Sequence, residues 1–281
     1  MNPEPFRVEI IRNRRHIGQW VLLSLVLLWF ILLIMIPLFG IIKETFSQGL
    51  ETVKTSLATP ASLHAFWLTI LITTSAVILN TLFGTILAIV LAKQKFKGKL
   101  VLESLLDLPF AVSPVVAGFM LIILFGSKGW IGSWFSSMNI KIIYALPGML
   151  IATLFVTLPF VAREVLPVLR EFGPEQEEAA STLGASQWQT FWRITLPSIR
   201  WGLAYGVTLT IARSIGEFGA VLVVSGSIIN KTQTATLRIH DQFSDFNYAG
   251  AFSAALILIV ASFLLLNLIK SIYKTKGGNN S

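Results

Sequence analysis

Two charges stand where charge is expensive. Arg213 and Glu217 lie four residues apart in an otherwise apolar run, a spacing that places both on one face of a helix. Each would cost on the order of 2.5 to 3.5 kcal/mol at the centre of a bilayer. Two readings fit: the face lines an anion pathway, with Arg213 attracting the anion and Glu217 limiting how tightly it is held, or the pair only fixes helix orientation or a subunit interface. Ala212, Gly216 and Ala220 form a row of small residues beside them, against which a second helix could pack closely. Pro114, with Pro109, interrupts another apolar run and reads as a broken helix at a gate or as a packing kink. Ser225 and Gly226, followed by Ser227, offer donors to an anion or form an ordinary turn. Other chemistries lack their parts. There is no cysteine, His16, His64 and His240 are scattered without ligand spacing, and no Gly-x-x-x-x-Gly-Lys-Ser/Thr phosphate loop occurs.

The elements that must position these residues are set by composition. Of 281 residues 54% are hydrophobic and 13% charged, and the mean hydropathy of +0.73 assigns the chain to the membrane class. Crossing about 30 Å of hydrocarbon takes about 20 apolar residues as helix. Six runs qualify, near Trp20 to Ile42, Ala65 to Ala92, Leu105 to Phe125, Tyr144 to Ala162, Trp201 to Val223 and Gly250 to Ile269. The expected fold class is therefore all-α, a polytopic membrane protein with six transmembrane helices. The first run is too long for a signal peptide, lacks an evident cleavage site and is expected to remain as a helix. Basic residues gather on one side of these spans: Arg7 to Arg15, Lys93 to Lys99, Arg163 to Arg200 and Lys270 to Lys276. Both termini and the long fourth loop are expected in the cytoplasm. The net charge of +8 then reflects topology and anionic lipid rather than nucleic acid. The segment from Val224 to Ala249 would face outside, as a solvated loop or a docking surface.

Between the fourth and fifth runs lies a polar segment, EAASTLGASQWQTFWRITLP from Glu178 to Pro197. Gly173 and Pro174 read as a helix start, with Glu175, Glu177 and Glu178 near its positive end. The helix should run to about Leu183 and end at Gly184. Ser186 with Gln189 reads as a capping box opening a second helix, which Pro197 should help to stop. The result is an elbow. It either lies on the membrane surface, anchored by Trp188 and Trp192, or meets a partner.

The spacing Glu178, Ala179, Ala180, then Gly184, Ile194, Leu196 and Pro197 resembles, with no position missing, the EAA loop of ABC importer permeases. In that family the loop docks into a cleft of the ATPase subunit. The resemblance extends from about Trp20 to Ile269: DLPFAVSPVVAG (Asp107 to Gly118), VTLPFVARE (Val156 to Glu164) and ARSIGEFGAVLVVSGS (Ala212 to Ser227) resemble the sulfate/thiosulfate permeases, whose relatives import molybdate and tungstate. Ser113, Pro114 and Val115, with Val223 to Ser227, resemble the W-type subunit. The resemblance implies a type I permease fold. It also implies a T-type second permease, an ABC ATPase dimer that binds the ATP and Mg this chain would not hold, an extracytoplasmic sulfate-binding protein, and a bacterial inner membrane. The implied divisions are a cytoplasmic segment 1–19, a permease domain 20–269 containing the coupling loop 163–200, and a cytoplasmic tail 270–281. A self-sufficient anion channel or secondary transporter, with Arg213 and Glu217 as a charge relay, is the reading from a different class.

Overall fold

The computed structural model describes residues 19–47 and 49–277, and among these all regular structure is helical. Arg7, Arg12, Arg14, Arg15 and His16 lie outside the described residues, as do the side chains of Lys270, Lys274 and Lys276. In chain order the helices are α1 (Gln19–Ser47), α2 (Leu50–Leu57), α3 (Pro60–Lys93), α4 (Lys99–Ala111), α5 (Pro114–Phe125), α6 (Gly132–Ser137), α7 (Leu146–Phe172), α8 (Glu175–Thr182), α9 (Gln187–Ile215), α10 (Gly219–Ser225), α11 (Ala235–Ser244) and α12 (Tyr248–Gly277). Helices α1, α3, α7 and α12 are long and apolar enough to cross a membrane. Two further candidates are broken: α4 with α5 is bent by 115°, and α9 with α10 by 53°. The six expected spans are thus four continuous helices and two bent pairs.

Helix α7 is the centre. Over half of its most apolar stretch is buried, whereas the corresponding stretch of α1 is entirely exposed on this chain. It contributes to both apolar clusters. One joins Met149, Ala152 and Val156 to Leu68 and Ile72 of α3, Leu121 of α5 and Val221 of α10; the other joins Val161, Val165 and Leu169 to Ala88 and Leu91 of α3, Leu106 of α4 and Ile199 of α9. Small residues let its neighbours approach: a Cβ on Gly84 would meet that of Val161 at 3.0 Å, and one on Gly206 would meet the Val161 Cα at 2.8 Å. Asn80, itself buried, donates to Thr157 Oγ1 at 2.7 Å and to the Leu154 carbonyl at 3.3 Å, tying α3 to α7 by a polar contact inside the bundle.

Pro197 does not stop the second helix of the elbow. The backbone runs on from Gln187 to Ile215 through a π-helical turn at Phe191–Thr195. A proline ring clashes with the carbonyl four residues before it in a regular helix, and the wider turn immediately ahead supplies the local adjustment. The helix ends at Ile215 instead, so the expected row of Ala212, Gly216 and Ala220 is cut: Gly216 caps α9 and is exposed, while Ala220 belongs to α10. The close-packing pair on α9 is Gly202 and Gly206, which face α7.

Candidate functional site

The polar segment folds as an elbow. Helix α8 starts after Pro174 and is capped at Leu183, and Gly184 takes φ +84°. Ser186 Oγ accepts from the Gln189 N–H at 3.3 Å while Gln189 Oε1 accepts from the Ser186 N–H at 3.0 Å, so both halves of the capping box form. No residue of α8 is buried. Glu178, Ala179 and Gly184 are exposed, and Ala180 is half-buried. Leu183 and Trp188 carry their apolar side chains 88% and 70% exposed at the corner. Ile194 lies in the π-helical turn and Leu196 just after it, both half-buried, with Pro197 exposed.

Glu177 turns the other way. Its carboxylate, 18% exposed, receives Lys93 Nζ at 2.6 and 2.5 Å and Thr195 Oγ1 at 2.6 Å. Burial alone would raise its pKa, but the hydrogen bonds from Lys93 and Thr195 and the lysine charge outweigh that and hold it below the ordinary glutamate value. The carboxylate is therefore ionised at neutral pH, and the pair is lost only as pH falls through that lowered value. At the same end Arg163 Nε lies 3.1 Å from Asp107 Oδ1 and Arg170 Nη2 lies 2.5 Å from Glu103 Oε1, joining α7 to α4.

Arg213 and Glu217 are in contact, Nη1 to Oε2 at 2.7 Å, but not within one helix. Glu217 stands in the break between α9 and α10. Its Oε1 accepts from the Ala220 N–H at 2.9 Å, capping α10, and its backbone carbonyl accepts from Thr236 Oγ1 at 2.8 Å. The Glu217 side chain is 1% exposed and that of Arg213 is 32%, so the arginine alone presents a free face. Glu217 and Ser214 line a small cavity with Thr69, Thr153 and Thr234, together with Ile72, Ile215 and Val221. The other break touches this one: Pro114 opens α5, and a Cβ on Gly219 would lie 3.0 Å from its Cβ.

Ser225 and Gly226 form a tight turn at the far end of α10. Gly226 takes φ +66°, and a Cβ there would meet the Tyr144 ring at 2.9 Å. Ser225 Oγ accepts from the Ser227 N–H at 3.1 Å, and the Ser225 carbonyl accepts from Thr232. Ser227 Oγ donates to Asp241, which also receives Gln233 Nε2 at 2.7 Å. The structure therefore brings Arg213, Glu217 and Pro114 to the two helix breaks and sets Ser225 and Gly226 one helix away.

The family described as "Binding-protein-dependent transport system inner membrane component" matches residues 80–275. The chain belongs to this family. Among its relatives, the chain is 49% identical to "Sulfate transport system permease protein CysW" of Synechocystis sp. (strain PCC 6803), over 93% of this chain and 95% of that one. It is 46% identical to the protein of the same name in Escherichia coli (strain K12), over 89% and 86%. The "Sulfate transport system permease protein CysT" of Escherichia coli (strain K12) is 37% identical over 95% and 97%. The chain thus falls with the W-type sulfate permeases. The fold is shared with the crystal structure of a bacterial ABC transporter involved in the import of the acidic polysaccharide alginate, with a TM-score of 0.78 at 17% identity, over 94% of this chain and 99% of that one.

Several structural residues of this permease escape sequence reasoning. Glu177 is one of three glutamates opening α8, and nothing local marks which of them turns inward. Its charged partner, Lys93, lies 84 residues away. Asn80 carried a readable signal, since a lone amide in a long apolar run needs a polar partner.

Proposed function

We propose that this permease is the W-type membrane subunit of an ATP-driven importer that carries sulfate or thiosulfate inward across the bacterial plasma membrane. The single observation that carries this reading is the likeness, at 46 to 49% identity over most of the chain, to W-type sulfate permeases. In this reading both termini and the elbow are cytoplasmic, residues 20–269 form the permease domain, 163–200 the coupling loop, and 1–19 and 270–281 the cytoplasmic ends. A T-type permease completes the pathway, and a receptor delivers the anion from outside. An ATPase dimer binds ATP and Mg and grips Glu178, Ala179, Ala180, Gly184, Ile194, Leu196 and Pro197. The exposed corner suits that role, because Leu183 and Trp188 leave apolar surface uncovered on this chain. Arg213 would supply the pathway charge: its guanidinium is paired with Glu217 yet keeps about a third of its side chain exposed, so an oxyanion would be attracted without being trapped. Closure of the ATPase dimer would move the elbow and rock the helices between outward and inward access. No bond in the substrate changes. Purification of the tagged chain from cells that also express the candidate T-type subunit and ATPase tests the assembly. Both should remain bound through washing; anion transport by the chain alone, with no ATPase retained, would contradict the reading.

A further inference from the structure

Helix α8 is mechanically isolated. It is flanked by two glycines with positive φ, Gly173 at +70° and Gly184 at +84°, and it buries none of its own residues. With none of its residues buried, little apolar packing holds it, and rotation at either glycine would let it swing. Among the described residues, the side-chain hydrogen bonds and ion pairs that lead out of α8 all run through Glu177. They end on Lys93, the last residue of α3, and on Thr195, in the π-helical turn of α9. The neighbouring Glu178 is exposed, so two adjacent carboxylates face opposite ways. Helix α3 is the longest in the molecule among the described residues. Near its other end the Thr69 hydroxyl accepts from the Ala235 N–H at 2.9 Å, which opens α11.

We propose that Glu177 is a positioning residue that latches α8 to α3 and α9, so that force applied to the exposed face of the elbow moves the membrane helices instead of being lost in the two glycine joints. The inference rests on the proposed coupling role of the elbow. Docking surface and transmission are separate parts of α8: Glu178 and Leu183 face outward, and Glu177 faces inward to carry the motion.

The test uses the full chain assembled with its partner subunits in liposomes, reading sulfate uptake and ATP hydrolysis together. Lys93→Met and Glu177→Gln should each lower uptake per ATP hydrolysed by about three- to tenfold, the range expected when one partner of a half-exposed charged contact is removed. ATPase retention should be unchanged. The double exchange Lys93→Glu with Glu177→Lys should recover most of the loss. A wild-type ratio in both single variants would overturn the latch, and loss of ATPase binding in Glu177→Gln would make Glu177 part of the docking surface instead. Because the chain has no cysteine, a nitroxide at Leu183→Cys reports on α8 in the purified chain without any transport. Its mobility should rise in Lys93→Met. Unchanged mobility overturns the latch even if wild-type complexes show no ATP-driven uptake, an outcome that would itself overturn the proposed function.

Discussion

At Gly184 the backbone, not the side chain, sets what can be tolerated. A Cβ would meet nothing within 4 Å, yet φ is +84°, a conformation that costs an L-residue roughly 1 to 2 kcal/mol. Gly184→Asn should therefore keep ATP hydrolysis coupled to uptake, because asparagine visits this region readily. Gly184→Val should uncouple them or prevent assembly, and comparing the two variants by uptake per ATP separates strain from bulk. Arg213 and Glu217 differ in what their loss leaves behind. Arg213→Ala strands a carboxylate whose side chain is 1% exposed, although that carboxylate keeps its bond from Ala220. A stability loss of roughly 2 kcal/mol is expected, less than for a fully buried pair because the arginine is partly solvated. Uptake should fall further than assembled complex in Arg213→Ala; equal loss of both would mark a purely structural pair. The capping box at Ser186 and Gln189 was legible in sequence because it is closed within four residues. The partners of Glu177 were not, because tertiary packing chooses which glutamate turns inward.

Two elements owe their shape to breaks. Pro114 announced the one between α4 and α5, where the chain turns by 115° between Ala111 and Pro114, whereas Pro109 stays within α4 and does not interrupt it. The break after Ile215 carried no proline, and a continuous fifth helix was the natural expectation. It is held instead by Glu217, which caps α10 with its side chain and binds Thr236 through its carbonyl. The apolar character of the run told where a span lies but not that it bends, since hydropathy is blind to a polar cap supplied from within the run. The two breaks are packed together through glycine: a Cβ on Gly118 of α5 would lie 2.7 Å from Val223 Cβ and 3.0 Å from the Ala220 carbonyl. Gly118→Ala should therefore force α5 and α10 apart and destabilise the chain by roughly 1 to 3 kcal/mol, read as a lower midpoint of thermal unfolding in detergent. An unchanged midpoint would mean that α10 moves aside freely. Pro197 shows the converse limit, because a proline expected to end a helix is absorbed by the π-helical turn before it.

For the molecule as a whole, apolar content and periodicity identified a helical membrane protein, and the spacing within the elbow identified the family. The chain divides its labour by height. Ion pairs at one end bind α3, α4, α7 and α8, packed small residues and Asn80 hold the middle, and the hydroxyl-rich surroundings of Glu217 lie beyond them. Arg213 and Glu217 form an ion pair at the break between α9 and α10. The most direct test is uptake of labelled sulfate into vesicles containing this chain, its T-type and ATPase partners and the receptor, with molybdate as competitor. Uptake that requires ATP and resists molybdate is the predicted result. Uptake without ATP would contradict the account in favour of a self-sufficient channel or secondary transporter, and strong competition by molybdate would contradict sulfate as the anion carried.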